Sequence, residues 1–325
     1  CCKLQQPAGG DARRFFLSEP MTTLLEPGQI PQASGEPPRV LAPDAQDVFA
    51  HRARRFAQLA EGHPLGDYLR FMGRLAQAQQ KALDAMPAVP VPDDAARSQS
   101  RQHGMPLVPA QSWKRDPAWR TALRAILDEV GPAASGTAAA TFKAISALDD
   151  AALETLAERV LRTELFGEHT DKLTFVAAAL QVYWTKLAAQ LGSDALQPLD
   201  VPGVCPCCGA LPSVSVIGAS PEVPGLRYLH CSLCNTEWHL TRAQCSACDA
   251  DEKDVAYQRI EGDKGLVQAE TCDVYKSYLK LVRRDKDAAV DPVADDLATL
   301  ALDILVDESG FSRSGPNLLL VPGGG

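Results

Sequence analysis

Cys205-Pro206-Cys207-Cys208, Cys231-Ser232-Leu233-Cys234, Cys245-Ser246-Ala247-Cys248 and Cys272-Asp273-Val274-Tyr275 are the four runs on which the reading of this 325-residue chain turns. Cys205-x2-Cys208, 22 residues, then Cys231-x2-Cys234 make one unit. Ten residues later the spacing starts again with Cys245 and Cys248, 23 residues, then Cys272; the eighth position holds Tyr275. Two such knuckles at the ends of hairpins bring four thiolates around one point. Tetrahedral Zn²⁺ or Fe accepts that arrangement, with metal–sulfur bonds of about 2.3 Å for zinc. Free buried cysteines do not account for repeated two-residue gaps, and a thioredoxin-like dithiol needs only one pair, at a helix start in a βαβ unit. Cys205, Cys208, Cys231 and Cys234 are therefore the expected ligands of a first metal. Cys245, Cys248 and Cys272 belong to a second, with a fourth ligand from Tyr275, Asp273, Cys207 or His239. The broken repeat leaves that second shell either open or substituted, or abolishes it. Pairing of the second knuckle with the third is an alternative, and Cys207 has no place in the first tetrahedron.

Working outward, each half repeats a β pattern. Leu211–Gly218 and Leu226–His230 flank a Pro/Gly turn, with Thr236–Thr241 after the second knuckle. Val255–Ile260 and Leu266–Glu270 flank Gly262-Asp263-Lys264-Gly265, with Ser277–Arg283 after the third cysteine run. So small a β unit has little apolar core, and bound metal supplies much of its folding free energy. Upstream the period changes to that of helices. Helices are expected from Asp44 to about Leu59, from Leu65 to about Met86, from Pro117 to Val130, from Thr137 to Leu148, from Asp150 to Phe166 and from Lys172 to Leu191. Asp116 before Pro117 is a start signal. The prolines between Pro87 and Pro109 mark an irregular stretch to about residue 112. After the β region, Val293, Leu297, Leu300, Ala301 and Ile304 predict one helix that Gly310 ends.

The expected fold is α+β: an N-terminal helical domain at 44–191, two small β metal modules at 203–243 and 244–285, and a C-terminal helix and tail at 286–325. Residues 1–43 hold seven prolines and four glycines without periodicity and are expected to be disordered or artefactual, with Met21 a plausible start. Arg13-Arg14-Phe15-Phe16-Leu17 imitates a twin-arginine export motif, but Ser18-Glu19-Pro20 follows instead of an apolar run.

Composition narrows the function. The formal net charge is −9, and residues 203–285 carry nine Lys/Arg against eleven Asp/Glu, the wrong sign for a surface that reads phosphate backbones. No nucleic-acid partner is expected. No run approaches the ~18 apolar residues of a membrane span, so no membrane insertion is expected. Eight of the ten cysteines cluster between Cys205 and Cys272, which suits metal ligation in a reducing compartment better than a disulfide scaffold. GxSxG, HExxH and a phosphate-binding glycine loop are all missing from the sequence, and no enzyme activity is expected. His51 and His63 lie in or beside helices, His103 and His169 in loops, without partners at ligand spacing. His230 and His239 sit nearer the cysteines, but strand alternation points them outward. Arg227, Glu237 and Arg242 read as charge pairs on a solvated face.

The run Leu226-Arg227-Tyr228-Leu229-His230-Cys231-Ser232-Leu233-Cys234-Asn235-Thr236-Glu237-Trp238-His239, followed by Arg242 and Cys245-x2-Cys248, resembles the FdhE family of formate dehydrogenase accessory proteins. Pro64-Leu65-Gly66-Asp67-Tyr68-Leu69-Arg70-Phe71, Tyr278-Leu279-Lys280 and Val293-Ala294-Asp295-Asp296-Leu297 carry the same resemblance, from about residue 37 to the end. It implies a cytoplasmic assembly factor with two tandem rubredoxin-like, zinc-ribbon-sized modules holding one to two ions, iron or zinc, with iron the metal associated with the family. The implied partner is the catalytic subunit of respiratory, molybdenum-dependent formate dehydrogenase, bound before export. Seven of the eight ligand positions match, and Tyr275 stands at the eighth. A rubredoxin-like electron carrier, or a zinc-ribbon interaction module for another client, are the competing readings; the first needs little more than its own small domain, whereas about 150 helical residues precede this cluster.

Overall fold

Alternation and helical period translate directly into the architecture of the computed structural model, which describes residues 38–134, 136–218, 225–242, 244–260 and 265–320. The helical half comprises α1 (Val48–Leu59), α2 (Gly66–Ala85), α3 (Asp94–His103), α4 (Ala118–Val130), α5 (Gly136–Ser146), α6 (Asp150–Leu161) and α7 (Thr170–Leu191). α7 is its axis: from Leu173 to Leu191 nearly every side chain is buried, including Tyr183 and Trp184. A helix apolar on all sides belongs inside a bundle, and α4, α6 and α2 pack around this one. α1 lies against α2, burying Phe49 and Phe56.

α3 falls inside the stretch expected to be irregular. It buries no residue, so it carries no apolar stripe. Its ends hold it instead. Asp93 accepts a hydrogen bond from the Ala96 N–H at 2.8 Å, and Gly104 closes the C-terminus in the left-handed region. His103 is thus the last residue of a helix rather than part of a loop.

The β half is one mixed sheet. Its strands are β1 (Val40–Leu41), β2 (Pro212–Ile217), β3 (Arg227–Cys231), β4 (Glu237–His239), β5 (Val255–Gln258), β6 (Val267–Cys272), β7 (Ser277–Arg283) and β8 (Ser312–Arg313), in the order β1-β4-β3-β2-β7-β6-β5, with β8 beside β7. The two hairpin units anticipated from the sequence are joined by a parallel ladder, β2 on β7, with Val214 opposite Lys280 and Val216 opposite Val282. β1 comes from the segment expected to be disordered. Val40 is buried opposite Trp238, so the disordered expectation fails for residues 38–43; residues 1–37, with Met21 and the paired arginines, lie outside the described residues.

The C-terminal helix is broken into α8 (Pro292–Ala298) and α9 (Leu300–Glu308) at Thr299. The break rotates the face: Val293 and Leu297 are buried as expected, but Leu302 and Val306 replace Ala301 and Ile304, and Ile304 is exposed. α8 begins at an Asp291 cap that accepts from the Val293 and Ala294 N–H groups. It also neutralises α1. Buried Arg52 donates to Asp291 at 3.1 Å, and Arg55 pairs with Asp295 at 2.7 Å and Asp287 at 3.1 Å. Among the described residues, no helix is long and apolar enough to cross a membrane.

Candidate metal centres

Each knuckle is a tight turn, and in the second and third the backbone aims amides at sulfur. In the first, the Cys205 N–H donates to Ala210 O at 3.0 Å and the Gly209 N–H to Cys205 O at 2.9 Å; Cys245, Asp249 and Ala250 repeat both bonds at 3.0 Å. In the second knuckle, the Leu233 and Cys234 N–H groups donate to Cys231 Sγ, each at 3.4 Å. The residue after each knuckle takes a positive φ: Gly209 at 75°, Asn235 at 58°, Asp249 at 63° and Lys276 at 49°. The fourth run therefore keeps the knuckle backbone although Tyr275 stands where a ligand is expected.

Cys205, Cys208, Cys231 and Cys234 converge with their sulfurs all within 4.8 Å of one another; Cys205 and Cys234 are 3.5 Å apart, Cys208 and Cys231 3.4 Å. A tetrahedron of sulfurs about 2.3 Å from a metal has edges of about 3.8 Å, so the cluster reaches that geometry by lengthening its two short edges slightly and evening out the rest. All four residues are at most 1% exposed. Burial pushes the Cys205 and Cys208 thiols well up. Burial opposes charge at Cys234 too, but hydrogen bonds from Cys205, Cys207, Cys208 and Cys231 hold it well below its ordinary value. A dry pocket tolerates thiolate charge poorly, and a divalent cation at the centre of the four sulfurs would compensate the thiolates that ligate it. Cys207, raised by its hydrogen bond to Cys234 and by burial, lies against this first cluster. It is no ligand of the second.

Cys245, Cys248 and Cys272 also converge within 4.8 Å. Burial and the Cys272 thiol raise Cys248 to about 11. Cys272 is held below its ordinary value: burial opposes this, but N–H groups of Tyr275 and Val274 and the thiols of Cys245 and Cys248 outweigh it. No further described His, Cys, Asp or Glu joins the trio. Asp273 pairs with Lys276 at 2.7 Å, and His239 packs edge-on against Tyr228, so neither completes the shell. The first knuckle closes with the second, and the third with Cys272, rather than the second with the third.

Sequence reasoning missed what surrounds the first cluster. Residues 106–110 run beside the first knuckle, with the Val108 N–H donating to Cys207 O and the Ala110 N–H to Cys208 O, both at 2.8 Å. From α7, Gln181 donates to Ser232 O at 2.8 Å. Asn235, held in its left-handed turn, donates to Thr185 Oγ1 at 2.7 Å and accepts from Arg52 at 2.8 Å. Arg52 on the apolar face of α1, between Phe49 and Phe56, was the one legible hint. Asn235→Ala leaves buried Arg52 and Thr185 groups unsatisfied, at about 1–3 kcal/mol, and forces alanine into the left-handed region, at about 1–2 kcal/mol. Denaturant melts should show a loss of about 3 kcal/mol, and Asn235→Gly should recover only the backbone part.

The remaining sequence candidates are placed differently from expectation. His230 is buried and faces Glu237 at 3.3 Å instead of pointing outward. Glu237 also pairs with Arg284 at 2.9 Å. Although burial opposes its charge, Arg284 and His230 hold its carboxyl far below the usual range. Arg227 is buried too, bonded to Glu270 at 2.8 Å and to the carbonyls of Thr241 and Gln244, so it ties the first module to the third knuckle. These are charge pairs, but interior ones. His51, His63, His103 and His169 belong to the helical half or its contacts with Val290 and Ala298, away from both clusters.

Three family models match in series: FdhE, N-terminal, over residues 37–200; FdhE, central domain, over 204–242; and FdhE, C-terminal domain, over 243–320. A Protein FdhE homolog of Haemophilus influenzae (strain PittEE) is 37% identical over 302 residues, covering 92% of this chain and 97% of its own. One from Pseudomonas aeruginosa PAO1 is 38% identical over 307 residues, covering 93% and 99%. The crystal structure of the FdhE protein from Pseudomonas aeruginosa superposes with a TM-score of 0.79 at 37% identity, over 88% of this chain and all of that one.

Proposed function

The chain belongs to the FdhE family, and on that footing we propose that it is a cytoplasmic, non-catalytic maturation factor that binds the catalytic subunit of respiratory formate dehydrogenase before export. The observation that carries this reading is the succession of all three family segments, in order, between residues 37 and 320. The metal reading adds to it. Cys205, Cys208, Cys231 and Cys234 would hold one ion, and Cys245, Cys248 and Cys272 a second. Four thiolates suit iron or zinc, and the closed centre would act as a structural clamp between the helical half and the sheet, since every ligand is buried under residues of both. Colour separates the metals: Fe(III) bound by four thiolates absorbs visible light, whereas d¹⁰ zinc does not.

An electron carrier fits less well. Its cluster needs an exposed edge towards a partner, and here the four-cysteine centre has none.

The test is a gene deletion combined with a pull-down. Without this protein, formate dehydrogenase activity should be lost while the catalytic polypeptide is still made, and the tagged protein should retain that polypeptide from cells. Normal activity in a strain with no second copy of the gene, or no retention, would overturn the reading.

A further inference from the structure

The two thiol clusters are built on one backbone plan but differ in access. At the first, four sulfurs are sealed under α7 and residues 106–110. At the second, the knuckle is intact down to the positive φ of Lys276, yet the side chain at its fourth position is Tyr275, 64% exposed, beside Val274, 62% exposed. Three sulfurs converge regardless, and Cys248 is only half-buried. Closed shells mark structural metal sites, and three protein ligands with one accessible position mark sites that exchange a ligand.

We infer that the second cluster is a three-thiolate metal centre whose fourth position takes an exogenous thiolate. This rests on the metal reading of the clusters given above. The ligand class follows from the donors present. A metal selected by three soft sulfurs prefers a fourth soft donor, and a thiolate there restores the shell that the first cluster has in full. The apolar rim of Val274 and Tyr275 suits the carbon stem of such a thiol. As the bond forms, the incoming thiol loses its proton to bulk solvent and one solvent molecule is displaced; no electrons change hands. The thiol belongs either to a small molecule or to a cysteine of a protein client.

Cobalt(II) distinguishes the cases, because its sulfur-to-metal charge-transfer intensity grows with the number of bound thiolates. The full chain, reconstituted with cobalt, should bind about two equivalents. N-acetylcysteine, or the formate dehydrogenase catalytic subunit with free cysteines, should raise the charge-transfer intensity by about one-seventh, from seven thiolates to eight. A subunit blocked with iodoacetamide tells the sources apart: a response lost on blocking assigns the ligand to the client, and a response to N-acetylcysteine alone assigns it to a small thiol. Tyr275→Cys should show the higher intensity from the start and respond to neither. Two bound equivalents with no thiol response in the wild type overturn the inference, as does one equivalent confined to the first cluster. Cobalt bound by neither cluster overturns the metal reading itself.

Discussion

Cys231→Ser should strip the metal from the first centre and take most of the protein's stability with it. A ligand that binds only the folded state at 1,000 times its Kd stabilises by about 4 kcal/mol, and structural four-thiolate sites bind more tightly than that. The serine's shorter side chain also draws the acceptor away from the Leu233 and Cys234 N–H groups in a pocket sealed from water. Loss of about one metal equivalent and a fall of more than about 4 kcal/mol in urea melts are expected. Cys248→Ser, at the half-buried second centre, should lower the midpoint far less, because few buried groups depend on that knuckle. Equal effects at the two positions would contradict the division into a clamping centre and an accessible one.

The second large effect lies beneath the sheet. Lys280 on β7 is fully buried and ion-paired with Asp296 and Asp303, and it donates to Asp296 O at 2.8 Å and Thr299 O at 3.0 Å. Arg313 meets the same two carboxylates from the other side, at 2.7 and 3.1 Å. Lys280→Met removes one cation from a dry network and leaves two carboxylates with one, which costs about 3–5 kcal/mol. The pH dependence follows from Asp296. Burial alone would raise its pKa, but Arg313 and Lys280 bring it down to about 2. A carboxyl held below its unfolded value of about 3.9 stabilises the fold above that pH, and the contribution disappears as pH falls from about 4 through 2. The wild type should therefore lose more stability than Lys280→Met across that interval, and the gap between their melting curves should narrow. A constant gap would place the cost in packing rather than charge.

The strands were legible because cysteine spacing fixes knuckles, and knuckles fix hairpins: all six expected strands start within a residue of where they are found. Helices with an apolar face were legible for the same kind of reason. What escaped was held by other forces. α3 stands on its caps and buries nothing. β1 is two residues long and exists through its pairing with Trp238 and Glu237. The kink at Thr299 follows from Lys280 taking the Asp296 and Thr299 carbonyls, which no pattern local to the helix reveals. The site showed the same division. Spacing grouped seven cysteines whose sulfurs converge in two sets, whereas the grip of Arg52, Thr185, Gln181 and Asn235 depends on residues 50 or more positions apart.

The pairing of Arg52 with Asp291 also has a temporal side. The two residues lie 239 positions apart, and Arg55 and Asp295 lie 240 apart. At about 5–20 residues per second on the ribosome, the acidic partners follow the arginines by about 12–50 s. Through that interval α1 carries cations that cannot be buried without heavy cost, while α7 and residues 106–110 are already available to receive the knuckles as they emerge. Arg52 bridges both events, since it also holds Asn235. Closure of α1 over Asn235 therefore waits on translation of residues 291–295, long after the first thiol cluster's own cysteines have emerged.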